Sequence, residues 1–176
     1  MTLSRAIITT PLDDMLALSS DAGLCALEFT GPRKRLPRLE ARLRRWFPPH
    51  DVVEEDSPVI RKTRAWLRAY FDGTSADSGA IPLDMRGAPF ELRVWEALRA
   101  IPPGETTSYG AIAKAMGSPD AARAVGAANG ANPIAIIVPC HRVIGASGAL
   151  TGYGGGLDKK TWLIAHERRW RTGQLF

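Results

Sequence analysis

The sequence predicts an α+β chain in which a small antiparallel sheet precedes a mostly helical region. Three short β-rich runs in residues 6–29, separated by Asp- and Gly-containing turns, predict the sheet. Apolar residues at helical spacing between Ser57 and Gly73 predict one helix that covers it. The same spacing recurs in three segments between residues 90 and 130, which predicts a helical second half.

A polar stretch of small residues, GTSADSGA at residues 73–80, separates these two parts. Such a composition is typical of a linker between two folded modules. We therefore predict an N-terminal structural domain over residues 1–80 and a second domain over residues 81–176.

The last two of the three helical segments form a predicted helix-turn-helix, a motif whose second helix contacts DNA. Gly117 is placed to end the first helix, and Ser118-Pro119 to cap the second. The second helix surrounds Arg123 with small residues, namely Ala121, Ala122, Ala124, Gly126, Ala127 and Ala128. A surface this smooth either packs closely against a neighbouring element or approaches a nucleic-acid groove.

The composition is that of an ordinary globular protein, with 45% hydrophobic and 23% charged residues in a chain of 176. No segment has the roughly 18 apolar residues that a membrane helix requires, so we expect no membrane partner and a cytoplasmic location. In that compartment Cys25 and Cys140 would stay thiols. The histidines lack the spacing of zinc ligands, and we predict no metal site.

The net charge of +5 and the isoelectric point of about 9.6 are compatible with a polyanionic partner. Seven basic residues lie in residues 33–45, RKRLPRLEARLRR, against the single acid Glu40. This segment could contact phosphate groups, although a solvated helix face is the simpler interpretation of its charge.

A run of buried-strand character, residues 134–138, ends at Pro139 just before Cys140 and His141. A cysteine with an ordinary pKa of about 8.5 needs a neighbouring base or positive charge to be a nucleophile at neutral pH. His141 and Arg142 could supply these if the backbone turns after Pro139. Alternatively, Cys140 is a core cysteine and His141 a structural histidine.

The segments that follow supply two further elements of a site. Six glycines between residues 145 and 156 predict a loop whose main chain can approach a ligand closely. A helix over residues 158–168 then carries Glu167, whose carboxylate could orient His141 and complete a Cys-His-Glu relay. The sequence by itself does not distinguish Glu167 from other acids.

Long motifs surround this cysteine. Between about Arg86 and Glu167 they are RGAPFELRVWEAL, IPPGETTSYGAIA, ARAVGAANGANPIAIIV, PCHRV and GALTGYGGGL. Over that range the chain resembles the O6-alkylguanine-DNA alkyltransferase family, whereas residues 1–80 match it only in general architecture. The resemblance implies a small ribonuclease-H-like N-terminal domain and a winged-helix-like C-terminal domain.

The resemblance also implies roles for individual residues. Cys140 accepts an alkyl group and is activated through water by His141, which Glu167 holds in place. Asn132 braces the turn between the DNA-binding helix and the cysteine segment. Tyr109 helps to rotate the 3′ phosphate of the flipped nucleotide, and its hydroxyl donates a hydrogen bond to the guanine. The main-chain carbonyls of the acceptor cysteine and of Val143 face the guanine amino group. The guanine pocket is formed by Asn129, Val143, Tyr153, Gly154 and Gly155.

Family members bind double-stranded DNA through its minor groove, and Arg123 would fill the gap that a flipped nucleotide leaves. The contact surface is formed by Ala121, Ala122, Arg123, Ala124, Gly126 and Ala127. The implied activity is DNA repair by single-turnover transfer from O6-alkylguanine, and from O4-alkylthymine, to Cys140 without a cofactor. The protein would be a monomer in solution that could assemble cooperatively on DNA.

The chain departs from the family at two points. Relatives often have serine where this chain has Gly154, and some carry an N-terminal zinc site that is absent here. A glycine keeps the N–H group that would bond O6 of the base. From the residues alone two other functions stay open: a DNA-damage binder without catalysis, and a cysteine hydrolase that turns over repeatedly.

Overall fold

The computed structural model describes residues 1–172, which divide into two compact units. The N-terminal unit comprises Met1–Gly87 together with Pro133–Ala135. The C-terminal unit comprises Ala88–Asn132 and the chain from Ile136 onwards. Residues 173–176, which the predicted second domain includes, lie outside the described residues.

A four-stranded sheet forms the centre of the N-terminal unit, in the order β3-β2-β1-β4. Its strands are β1 (Thr2–Ile8), β2 (Met15–Ser19), β3 (Leu24–Phe29) and β4 (Asp51–Glu54). The first three pair antiparallel, as predicted, whereas β4 joins the edge parallel to β1. All four residues of β4 are exposed, so this strand has no burial pattern that the sequence could reveal.

Two helices complete the N-terminal unit, α1 (Arg35–Trp46) and α2 (Pro58–Asp72). The predicted limits of α2 are confirmed, because Ser57 accepts the N–H of Ile60 and Gly73 adopts a left-handed φ of 72°. Helix α1 packs its apolar side into a core of Leu3, Leu16, Leu18, Cys25, Ala26, Leu39, Leu43 and Phe47.

The C-terminal unit is mostly helical, so the predicted α+β class is confirmed. Its helices are α3 (Pro89–Arg99), α4 (Tyr109–Ala115), α5 (Ala122–Gly130) and α6 (Leu157–Arg171). Two short strands, β5 (Thr107–Ser108) and β6 (Val143–Ile144), pair parallel beside them. Helices α4 and α5 form the predicted helix-turn-helix, and Gly117 lies between them with a left-handed φ of 77°.

The predicted start of α5 at Ser118-Pro119 is wrong. The N–H of Ala121 donates to the carbonyl of Ser118 at 2.9 Å, which closes a separate turn before the helix. Helix α5 therefore begins at Ala122, and its N-cap Ala121 has no side-chain cap. A Ser-Pro pair also favours a turn, and here that tendency prevails over its capping function.

The predicted strand over residues 134–138 is also wrong. The segment is buried, but it forms turns in which Ile136 has a left-handed φ of 69°. Only Ile134 bridges to the sheet, at Leu27, and the N–H of Ala135 donates to the Leu27 carbonyl at 2.8 Å. An apolar run indicates burial, and burial does not require a strand.

Candidate active site

Cys140 begins a short 3-10 helix, Cys140–Arg142, directly after Pro139. The N–H of Arg142 donates to the Pro139 carbonyl at 3.0 Å, so the backbone turns where the sequence required it to turn. Cys140 is 7% exposed and His141 is fully buried. The cysteine therefore lies at the edge of the protein interior, and the histidine that follows it is enclosed within that interior.

Two asparagines hold the segment that carries this cysteine. Nδ2 of Asn132 donates to the Val138 carbonyl at 2.8 Å, and Nδ2 of Asn129 donates to the Cys140 carbonyl at 3.4 Å. Both side chains are buried. Because Asn129 belongs to α5, this contact links the second helix of the helix-turn-helix directly to the cysteine turn.

Glu167 on α6 is the centre of a buried charge network. Its Oε1 lies 2.7 Å from Nε2 of His141, which is the contact predicted from the sequence. Arg142 donates to both carboxylate oxygens, through Nε and Nη2, each at 2.8 Å. The two parallel bonds fix the carboxylate plane, and they thereby fix the orientation of the imidazole.

The loop after α3 completes this network from the other side. Nη1 of Arg142 donates to the Ile101 carbonyl at 2.6 Å, and the N–H of Gly104 donates to Oε2 of Glu167 at 3.2 Å. Gly104 has a left-handed φ of 80°, and an added Cβ would lie 2.6 Å from the Arg171 side chain. A glycine is therefore required at this turn.

The network determines the charge of its members. Burial lowers the pKa of His141 below 6.5, and the positive charges of Arg142 and Lys160 lower it further, against the opposing effect of Glu167. Burial alone would raise the pKa of Glu167, but its contacts with His141 and Arg142 outweigh burial and lower that pKa well below its ordinary range. A neutral imidazole thus faces an ionised carboxylate.

Lys160 on α6 is the second buried cation of the site. Its ammonium donates to the carbonyls of Val143 at 2.6 Å, Thr151 at 2.9 Å and Gly152 at 3.3 Å. Burial lowers its pKa, and the charge of Cys140 opposes this decrease. Lys160 therefore anchors the glycine-rich loop and interacts electrostatically with the cysteine.

Tyr109, the first residue of α4, reaches the same loop. Its hydroxyl donates to the Thr151 carbonyl at 3.3 Å, an oxygen that also accepts from Lys160. The other predicted pocket residues lie along or beside this loop: Tyr153 and Gly154 are half-buried, and Val143 and Gly155 are buried. Of the two carbonyls expected to face a guanine, that of Val143 accepts from Lys160, and that of Cys140 accepts from the Asn129 side chain and from the Val143 N–H.

The predicted DNA-contacting residues lie on α5 and at its N-cap. Arg123, Ala124 and Ala127 are exposed. The half-buried members of the set are Ala121, Ala122 and Gly126. The exposed part of α5 is therefore a smooth surface with one cation. The indole of Trp95 on α3 donates to the Ala128 carbonyl at 2.8 Å and holds the opposite side of α5 in the core.

Known families and solved structures include matches to this chain. The family described as 6-O-methylguanine DNA methyltransferase, DNA binding domain, matches residues 89–169. A solved O6-methylguanine methyltransferase of Mycobacterium tuberculosis is 41% identical, with a TM-score of 0.78 over 94% of this chain and 93% of that chain. The chain belongs to the O6-methylguanine-DNA methyltransferase family.

Two further matches within this family cover different shares of the chain. A methylated-DNA–protein-cysteine methyltransferase of Mycolicibacterium paratuberculosis is 66% identical over 109 residues, which is 62% of this chain and 66% of that relative. A crystal structure of the Mycobacterium tuberculosis protein in complex with DNA has a TM-score of 0.79 and 40% identity, over 97% of this chain and 94% of that chain. The chain thus spans slightly less than two thirds of the curated relative.

Two parts of the site in this family member were not predictable from motifs alone. Arg142 was expected only as a neighbour of Cys140, whereas it is the main partner of Glu167. Lys160 was not among the predicted site residues. Lys160 lies seven residues before Glu167, which places both on the same side of α6 as the buried residue Ile164. That helical spacing was the available signal.

Within residues 1–172, no helix is long and apolar enough to cross a membrane. In the same range, no group of three or more His, Cys, Asp or Glu side chains is arranged to hold a metal ion.

Proposed function

We propose that this protein repairs DNA by transferring an alkyl group from O6 of an alkylated guanine to Sγ of Cys140. The observation that carries the proposal is the buried Glu167 network, which holds a neutral His141 beside the cysteine. The bond between Sγ and the alkyl carbon forms as the bond from that carbon to O6 breaks. The electron pair stays on the guanine, which takes up one proton as it leaves.

His141 is the proposed acceptor of the thiol proton. Because Nε2 donates its hydrogen to the ionised Glu167, the lone pair of the neutral ring lies on Nδ1. Nδ1 is buried and has no hydrogen-bond partner in residues 1–172. A proton that moves from Cys140 to Nδ1, directly or through water, gives an imidazolium that the carboxylate stabilises.

Lys160 and Tyr109 have proposed supporting roles. The buried ammonium of Lys160 favours the thiolate form of Cys140, since the two charges attract each other. It also sets the position of the loop that carries Tyr153, Gly154 and Gly155. That loop and Asn129 would enclose the guanine, and the hydroxyl of Tyr109 would donate a hydrogen bond to the base as it leaves.

Double-stranded DNA is the proposed substrate, bound through its minor groove by the exposed side of α5. Ala124 and Ala127 allow close approach to the groove, and Arg123 would fill the space of the flipped nucleotide. Asn132 would keep the cysteine turn in place during this step. We further propose a monomeric, cytoplasmic protein that could assemble cooperatively on DNA and also accept O4-alkylthymine.

The chemistry predicts one reaction per protein molecule. A thioether on Cys140 has no leaving group that water can displace, so the thiol is not regenerated. No cofactor is required, because the protein itself supplies the nucleophile and the proton acceptor.

An experiment on stoichiometry tests this function. The full chain is mixed with an excess of duplex that contains one O6-methylguanine, and both the intact protein mass and the repaired duplex are measured. We expect each protein to gain the mass of one methyl group and to repair one lesion. An unmodified protein bound to the duplex would indicate a binder, and repeated turnover without protein modification would indicate a hydrolase.

Arg123→Ala tests the assignment of α5 to DNA binding. We expect this variant to repair duplex DNA at least about tenfold more slowly, a loss of about 1.4 kcal/mol of transition-state stabilisation, while its reaction with free O6-benzylguanine stays near that of the parent. Arg169→Ala removes one exposed cation of α6 and serves as the charge-matched control. Equal losses on duplex and free base would contradict the assignment.

A further inference from the structure

We propose that α1 of the N-terminal unit carries a second contact surface for the phosphate backbone of DNA, independent of base sequence. This basic face consists of exposed residues at and before α1, namely Arg33, Lys34, Arg38, Arg44 and Arg45. The inference rests on the proposed function only in that both take DNA as the partner. It concerns a surface outside the helix-turn-helix.

The burial pattern of α1 directs these charges outward. Leu39 and Leu43 are each 6% exposed and belong to the core of the N-terminal unit. Lys34, Arg38 and Arg45 are separated by four and seven residues, so they lie along the opposite side of the helix. One side of α1 is therefore apolar and buried, and the other is a row of exposed cations.

The basic face has no neutralising partner within residues 1–172. None of its five members forms an ion pair with a carboxylate there. Other cations of the same unit do: Arg35 lies 2.6 Å from Glu28, and Arg64 lies 2.9 Å from Asp56. The positive charge of the basic face is thus available to an external anion.

The charges at the start of α1 destabilise the isolated helix. The first turn of α1 has no acidic residue, and Arg33 and Lys34 lie at the positive end of its dipole. Lys34 and Arg38 are like charges four residues apart, which repel each other. Lys34 also provides no side-chain cap for the first N–H groups. A bound phosphate would reverse each of these effects, since helix N-termini bind anions.

The same geometry favours DNA over a lipid surface. A helix that binds a membrane inserts its apolar side into the bilayer, together with the charges that flank it. The apolar side of α1 is occupied by the core of the N-terminal unit. Outside, α1 exposes its cations, the single acid Glu40 and the small residues Pro37 and Ala41, with no exposed large apolar side chain to insert. This surface suits a densely charged polyanion whose phosphates are contacted without insertion.

Two triple variants of the full chain with equal charge changes test the proposal. R38Q/R44Q/R45Q removes three cations of the basic face, and R61Q/K62Q/R68Q removes three exposed cations of α2. The Kd for an undamaged duplex is measured between about 50 and 200 mM KCl. We expect the slope of log K against log salt to decrease by about 2 to 3 in the α1 variant, since each phosphate contact contributes about 0.9. The α2 variant should keep the parental slope.

Thermal unfolding and vesicle binding complete the test. Without DNA, thermal unfolding checks that the α1 variant is folded at the temperature of the binding measurement, since it loses the repulsion of Lys34 by Arg38 but also two cations that favour the last turn of α1. Equal slopes for the two variants would overturn the proposal. It would also be overturned if the α1 variant lost binding to vesicles of anionic phospholipid while its binding to DNA stayed that of the parent. Alkyl transfer by the parent is measured separately, so failure of the proposed function is distinguished from failure of this surface.

Discussion

The two cysteines of this chain are almost equally buried, yet their surroundings differ in kind. Cys25 is 2% exposed in the apolar core of the N-terminal unit, where burial raises the pKa of its thiol to about 11. Cys140 is 7% exposed at a backbone turn, followed directly by His141 and Arg142 and within the electrostatic influence of Lys160. Low exposure is common to both, but Cys25 lies near the carboxylate of Asp84, which disfavours a thiolate, whereas Cys140 lies near the ammonium of Lys160.

The comparison indicates that burial by itself does not make a thiol inert. An apolar environment disfavours the thiolate, but fixed charges and a base in the same low-dielectric surroundings act more strongly than they would in water. The charges around Cys140 belong to residues with two or more hydrogen bonds each, such as Arg142 and Lys160. Changing those residues should therefore alter the reactivity of Cys140 and leave Cys25 as an internal reference.

The largest expected effect comes from Glu167→Gln. This change leaves the buried Arg142 without an opposite charge, and we expect the free energy of unfolding to fall by about 3–5 kcal/mol. The imidazole also loses the group that orients it and stabilises its charge. We therefore expect alkyl transfer to slow by about a hundredfold. Urea unfolding and single-turnover kinetics measure the two effects.

Glu28→Gln is the matched control for that variant. Glu28 is also buried and paired with an arginine, Arg35, but in the N-terminal unit. Burial raises the pKa of Glu28 despite this partner, so its charge is less well stabilised than that of Glu167. We expect a smaller loss of stability and an unchanged transfer rate. A similar slowing in both variants would mean that the Glu167 network acts only through stability.

Lys160→Met should have an intermediate effect. It removes the donor to the carbonyls of Val143, Thr151 and Gly152, and we expect unfolding to become easier by about 1–3 kcal/mol. Transfer should slow by about tenfold, equivalent to about 1.4 kcal/mol. Since Lys160 acts on the cysteine and the loop, the slowing should be equal on duplex DNA and on free O6-benzylguanine.

Lys159→Met changes the same charge at the neighbouring position and should keep the parental rate. If Lys160→Met affected duplex repair alone, Lys160 would belong to the DNA contact instead of the environment of the thiol.

The smallest effect concerns pH. The folded-state pKa values of His141 and Glu167 lie below their ordinary values of 6.5 and 4.5, so the unfolded chain binds more protons as the solution is acidified. His141 does not reduce the free energy of unfolding above pH 6.5, but it reduces that free energy increasingly as the pH falls below 6.5. Glu167 acts in the same way below pH 4.5. Each group can contribute a slope of up to about 1.4 kcal/mol per pH unit.

Urea unfolding between pH 7.5 and pH 4, at about half-unit steps, measures this dependence. His141→Asn should flatten the first part of the curve, just below pH 6.5, and reduce the part below pH 4.5 without abolishing it, because Arg142 remains as a partner of Glu167. Because the raised pKa of Glu28 gives a slope of the opposite sign, the curve is also measured for Glu28→Gln, and a Glu28→Gln curve that is flat down to pH 4.5 would contradict the lowered pKa of His141.

Local patterns made much of this molecule predictable. The limits of α2 follow from Ser57-Pro58 and Gly73, and the contact of Glu167 with His141 follows from a helix placed after the cysteine motif. In these cases a few adjacent residues determine the backbone, and the periodicity of a helix determines which side chains face inward.

Features that depend on distant partners were not predictable. Strand β4 has only exposed residues and exists because β1 offers a free edge. The turns of residues 134–138 depend on a contact with Leu27 and on the left-handed backbone of Ile136. The role of Lys160 depends on three carbonyls that are 8 to 17 residues away along the chain. A hydrophobic pattern contains none of this information.

The most direct test of the central claim is to locate the transferred group on the two cysteines. After reaction with a methylated duplex, proteolytic peptides that contain Cys140 and Cys25 are compared by mass spectrometry, in the parent and in Cys25→Ala and Cys140→Ala. We expect one methyl group on the Cys140 peptide in the parent and in Cys25→Ala, and no transfer in Cys140→Ala. Methylation of Cys25, or repair by Cys140→Ala, would contradict the account.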